Sequence, residues 1–220
     1  MSYVDALFDR EADKISVVER IEGKRRFTEY PARWIAYYDD PKGKYKSIYG
    51  TPVSRIATKQ NKEFKRELAY HSEKKTYETD INPIFRCLEE NYLNKDAPEL
   101  QVAFFDIEVD FDPERGYSTT DDPFMPITAI SCYMSWTDQL VTLAVPPKTI
   151  SMKDAEELTK RFENTMLFEK EKDMLDAFLQ LVDDADILSG WNSEGYDIPY
   201  TVGRIQKVLS GDDTRRLCFW

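Results

Sequence analysis

The chain has 220 residues, 41% hydrophobic and 13% aromatic, enough for one large folded domain or two small ones and against intrinsic disorder. No apolar run nears the roughly 20 residues of a membrane-spanning helix, and Met1-Ser2-Tyr3-Val4-Asp5 has no secretion-signal character, which argues against a membrane partner. The net charge of −11 is unevenly spread: residues 1–80 carry 17 Lys+Arg against 14 Asp+Glu, residues 81–220 carry 13 against 27, an asymmetry that points to two functional regions.

In chain order, Ile15 to Tyr30 alternates loosely around Glu22-Gly23 and predicts a β-hairpin. A strand follows at Trp34-Ile35-Ala36-Tyr37-Tyr38, closed by the Asp39-Asp40-Pro41-Lys42-Gly43 turn, and helices are expected near 58–69 and 82–93. From Leu100 the pattern sharpens. Val102 to Val109 is a strand, a polar loop runs to Pro126, and strands over 127–136 and 140–145 are joined through Thr137-Asp138-Gln139. Helices are predicted over 151–164 and 169–184, the second with Met174, Leu175, Phe178, Leu181 and Val182 on one face. A short strand at 186–191 then leads into a helix over 198–209. The expected fold class is α/β and α+β: a small mixed domain over 1–98, then a domain over 99–220 with a mixed sheet.

Acidic residues draw attention to the second region. Residues two apart on a strand share a face, so Asp106 and Glu108 project together beside Val102 and Phe104. On a buried strand such a pair needs compensation, for which a hard divalent cation is well suited; on a wet face it needs none. A second element is Trp191-Asn192-Ser193-Glu194-Gly195-Tyr196-Asp197, at the carboxyl end of a strand, where sites gather in open α/β sheets. Asp197 before Ile198-Pro199 also has the character of a helix N-cap, and one carboxylate could both cap and bind metal. Cys87, Cys132 and Cys218 are scattered and His71 is the single histidine, against structural zinc and for a reduced setting.

Phe105-Asp106-Ile107-Glu108 resembles the first exonuclease motif of family B DNA polymerases, and Asn192 to Asp197 resembles the second, Asn-x-x-x-(Phe/Tyr)-Asp. The string Gly190 to Tyr200, with Tyr45-Lys46-Ser47-Ile48-Tyr49-Gly50 upstream, is similar to the enzymes of T-even-type bacteriophages. The resemblance implies a ribonuclease-H-like fold of the DEDD class, a 3′→5′ proofreading exonuclease and two Mg²⁺ or Mn²⁺ ions. It assigns Asp106 to both ions, Glu108 to the water-activating ion and Asp197 to the second. Asn192 and Tyr196 would support the substrate strand and the strand–helix junction. The family's third motif, Tyr-x-x-x-Asp, is not found, since Val208 and Leu209 stand four residues before Asp212 and Asp213. The expectation is therefore an N-terminal piece of a replicative polymerase, cut before its last exonuclease carboxylate and lacking the polymerase site.

The implied partners are the single-stranded 3′ end of DNA, primer-template, the rest of the polymerase chain, and a sliding clamp through regions outside this chain. RNA is a further candidate through the N-terminal domain, and the implied location is the cytoplasm of an infected bacterium. Between Lys42 and Lys75 ten basic residues face three acidic ones, interleaved with Tyr45, Tyr49, Phe64 and Tyr70. This stretch reads either as a solvated lysine face over core aromatics or as a nucleic-acid surface using Lys44, Lys46, Lys59, Lys62 and Lys65. A nucleic-acid-binding regulatory module without nuclease activity, and a DEDD nuclease acting alone, are the competing functions.

Overall fold

The computed structural model describes residues 2–220. The chain divides into two compact units, Met1–Glu99 and Leu100–Trp220.

In the first unit, β1 (Ser2–Asp9), β2 (Lys14–Ile21) and β3 (Lys24–Pro31) form an antiparallel sheet with β2 in the middle. The predicted hairpin is β2–β3. Its Glu22-Gly23 turn has φ of 51° and 75°, the positive pair that matches the right-handed twist of two-residue hairpins. A second sheet has the order β5-β6-β4-β7, from β4 (Trp34–Asp39), β5 (Tyr45–Lys46), β6 (Pro52–Thr58) and β7 (Thr76–Tyr77). The predicted helices are α1 (Asn61–Tyr70) and α2 (Pro83–Tyr92). The α2 start is built by sequence: Asn82 accepts the Ile84 N–H at 3.0 Å and Pro83 opens the helix. Ile15, Val17, Ala32, Cys87 and Tyr92 form one core, and Ala36, Ile56 and Phe64 form another. Phe64 is thus a core residue, not part of a nucleic-acid surface.

The second unit holds β8 (Val102–Val109), β9 (Ile127–Met134), β10 (Gln139–Ala144), α3 (Met152–Thr159), β11 (Thr165–Leu167), α4 (Glu171–Leu181), β12 (Ile187–Ser189) and α5 (Asp197–Val208). A short 3-10 helix, Asp213–Leu217, follows. The sheet order is β11-β10-β9-β8-β12, with β8, β9 and β10 antiparallel and the two edge strands parallel to their neighbours. The mixed sheet predicted from sequence is therefore present. Helix α3 stops earlier than its periodicity suggests, because the chain is drawn into the sheet: Thr142 N–H donates to the Asn164 carbonyl at 2.9 Å, and β11 begins there. On α4, Met174, Leu175, Phe178 and Leu179 are fully buried, and Leu181 only packs at the margin.

Strand β8 sets two faces apart. Ala103, Phe105 and Ile107 enter the core with α4 and with Tyr200 and Ile205 of α5, and the Phe105 and Phe178 rings lie 5.2 Å apart. Phe104, Asp106 and Glu108 alternate onto the opposite, exposed face.

Candidate functional site

Asp106 and Glu108 share one face of β8, as their spacing requires, but that face is open to water. The desolvation argument thus does not apply to this pair. It applies to Asp197, which is 4% exposed.

The route of the chain explains how a carboxylate comes to be buried there. Strand β12 pairs with β8 only at Val102, Ala103 and Phe104, leaving the rest of that β8 edge without a strand partner. Gly190 continues past the edge so closely that a Cβ on it would lie 2.3 Å from the Phe105 carbonyl oxygen; no larger residue fits. The backbone then turns at Asn192, which has φ of 53° and whose carbonyl accepts N–H from Gly195 at 2.9 Å and from Tyr196 at 3.0 Å. Asn tolerates this left-handed conformation better than most residues. Helix α5 then opens with Asp197, whose Oδ1 accepts the Ile107 N–H of β8 at 3.3 Å.

Asp197 is therefore not an N-cap. Tyr196 holds the cap position, no side chain caps there, and the Asp197 carboxylate serves the strand edge instead. Burial raises its pKa above the usual carboxylate range. The Ile107 and its own backbone N–H groups act against that rise, and the negative charge of Asp106 adds to it. Asp106 and Asp197 are thus electrostatic neighbours although 91 residues separate them in sequence. Among the described residues, no three His, Cys, Asp or Glu converge closely enough to hold an ion as they stand. Glu108 keeps to the same face, two residues along the strand. The donors are carboxylate oxygens, the type that hard divalent cations such as Mg²⁺ or Mn²⁺ take, but the three do not form an ion-holding group as they stand.

Asn192 is exposed and builds the turn, and Tyr196 stacks on Tyr200 with ring centroids 5.3 Å apart. Other groups that hold α5 were not singled out from sequence. Tyr200 donates its hydroxyl to the Met125 carbonyl at 2.8 Å. Arg204 pairs with Glu171 in a nearly buried bridge and donates to the Pro123 carbonyl at 2.9 Å, while Glu171 accepts the Ile127 N–H at 2.8 Å. Only their proximity across some 80 residues gives them meaning, and periodicity does not report that. The five candidate lysines are spread: Lys44 and Lys46 lie at β5, Lys59 follows β6 in a depression shared with Glu11, Asp13 and Glu29, and Lys62 and Lys65 are exposed on α1.

The family described as DNA polymerase family B, exonuclease domain, matches residues 55–217, most of the chain and all three carboxylates. The chain belongs to this family. Comparison with curated proteins gives no match. Among the described residues no helix is long and apolar enough to cross a membrane. A family B exonuclease domain acts on DNA, and in this chain the family match runs over the β8 strand and the β12–α5 turn that bring Asp106 near Asp197.

Proposed function

We propose that this chain is the N-terminal part of a replicative DNA polymerase of the T-even phage type, and that its second unit carries the 3′→5′ proofreading exonuclease site. The observation that supports this most is the neighbouring Asp106 and buried Asp197, lying on the two family motifs in the expected order. In this reading Asp106, Glu108 and Asp197 hold Mg²⁺ or Mn²⁺ against the scissile phosphodiester. Bound divalent ions supply Lewis-acid activation of the phosphate and of the attacking water. The protein's own part is to fix geometry. Strand β8 presents Asp106 and Glu108 outward, the Ile107 N–H orients the Asp197 carboxylate, and the rigid turn at Asn192 delivers α5 to that strand edge. Exposed Phe104, on the face of Asp106, and Trp191, at 93% exposure beside the turn, offer apolar surface to the last bases of a single-stranded 3′ end.

Calorimetric titration with Mn²⁺ tests this reading. Binding by the parent chain should weaken at least tenfold in Asp106→Asn and in Asp197→Asn, since each removes a charged ligand. Affinity unchanged in both variants would place the cation elsewhere and overturn the assignment. In the whole polymerase, Asp106→Ala should abolish 3′→5′ degradation while leaving primer extension largely intact.

A further inference from the structure

The three-stranded sheet of the first unit ends in two edges, β1 and β3, and they differ. Strand β1 is interrupted by a register shift between Tyr3 and Asp5, an irregularity that blunts an edge. Strand β3 has no such defect: all eight residues, Lys24 to Pro31, pair in unbroken register with β2. Among the described residues no further strand pairs with its outer side. Helix α2 lies mainly over β1 and β2. At the middle of β3, Phe27 is 55% exposed. A long, regular edge with an exposed aromatic ring at its centre is a template for another strand.

Charged side chains ordinarily guard such an edge, and β3 carries Lys24, Arg25, Arg26 and Glu29. Their order matters more than their number. Two copies of β3 pairing antiparallel are related by a two-fold axis perpendicular to the sheet. Residues that stand opposite each other share a face, so the axis passes through a residue position and not between two. Centred on Arg25, Arg26 or Glu29, the pairing sets like charges against each other. Centred on Thr28, it brings no opposite charges together and sets Phe27 against Glu29. Centred on Phe27, it places the two Phe27 rings side by side and sets Arg25 against Glu29 on either side of the axis. Arg26 then faces Thr28, Lys24 faces Tyr30, and no like charges are opposed. The observed faces agree with this register. Glu29 pairs with Lys14 at 2.8 Å on the outer face, while Thr28 turns inward and donates to Glu19 at 2.6 Å.

We propose that β3 is a self-association edge, at which a second copy of this chain adds antiparallel with Phe27 on the two-fold axis. Backbone bonds of the open edge supply the attraction, and the order of the charges selects the register. A second copy suits this edge better than a foreign strand of one sign. A basic strand would meet Lys24, Arg25 and Arg26, and an acidic one would meet Glu29. The surface lies in the first unit and does not involve the three carboxylates of the second.

Sedimentation velocity of the 220-residue chain, from about 1 to about 100 μM, tests the proposal in the range suited to a contact smaller than a standard interface. The parent should pass from monomer to dimer over that range. Glu29→Arg and Arg25→Glu, each alone, set like charges opposite and should weaken dimerisation about tenfold or more. An equimolar mixture of the two should restore it, because each variant supplies the charge that the other needs. Mixing cannot rescue a chain that fails to fold, so recovery separates lost pairing from lost structure. Phe27→Glu, at an exposed position, should stay monomeric with a parent-like melting curve by circular dichroism. Hydrogen-exchange protection of β3 amides should rise with concentration while that of β1 stays constant. A parent that is monomeric throughout overturns the proposal, and strongly protected β3 amides in that monomer would give the edge to a segment of the same chain. A dimer that tolerates both charge reversals, is not recovered on mixing, or gains protection in β1 and not in β3 overturns it as well.

Discussion

Asp197 performs two tasks with one carboxylate. It completes the open edge of β8 by accepting the Ile107 N–H, and it sets a buried negative charge beside Asp106. Substitution separates the tasks. Asparagine retains an acceptor for Ile107 and discards the charge; alanine leaves a buried N–H unsatisfied, at about 1–3 kcal/mol. The folded pKa of Asp197 lies above the ordinary Asp value, so its favourable contribution is complete below the unfolded carboxylate pKa and is lost as pH rises through the folded pKa. At neutral pH without divalent ion, Asp197→Asn should therefore melt no lower than the parent, and Asp197→Ala should melt lower. Mn²⁺ should raise the melting temperature of the parent alone. A melt of Asp197→Asn well below the parent in chelator would contradict this account. The cysteines allow a second check. Cys132 is fully buried, its thiol pushed up to about 11 by burial, Cys87 is buried and shifted the same way, and Cys218 is exposed. A thiol-disulfide reagent should label Cys218 in the native protein and all three only after unfolding.

At the scale of elements, α5 is located by polar bonds as much as by its apolar face. Arg204 and Glu171 are about nine-tenths buried, and between them they reach the Pro123 carbonyl and the Ile127 N–H. This ties α5, α4, the loop after β8 and the start of β9 into one frame. Removing one partner of such a pair strands the other charge, at about 3–5 kcal/mol. Glu171→Gln and Arg204→Met should each lower the melting temperature. Because α5 begins with Asp197, each should also weaken Mn²⁺ binding without touching a carboxylate of the proposed site. Mn²⁺ affinity unchanged in a clearly destabilised variant would show that this frame does not position Asp197. Helix α3, whose buried residue is Ala155, precedes the edge strand β11.

Across the whole molecule, each compact unit has its own hydrophobic core, the condition for separate cooperative behaviour. Phe178→Ala should cost about 3–5 kcal/mol in the second unit. Hydrogen exchange should then rise in β8, β9, α4 and α5 while β2 and β3 keep their protection. The sequence by itself determined much of this protein: the β2–β3 hairpin from alternation and turn chemistry, the long helices from their period, and strand β8 with Asp106 and Glu108 on one face from the two-residue repeat. These are local patterns, and local sterics write them into the chain. The two-residue strands β5 and β7 and the edge strand β11 were not legible, because segments so short take their form from the neighbour they pair with. Only the tertiary structure decided which face of β8 is wet, that Asp197 serves a strand edge rather than its own helix, and that the charge of Asp106 bears on Asp197. Burial and charge proximity depend on how distant segments pack, and no property of either segment alone carries that information.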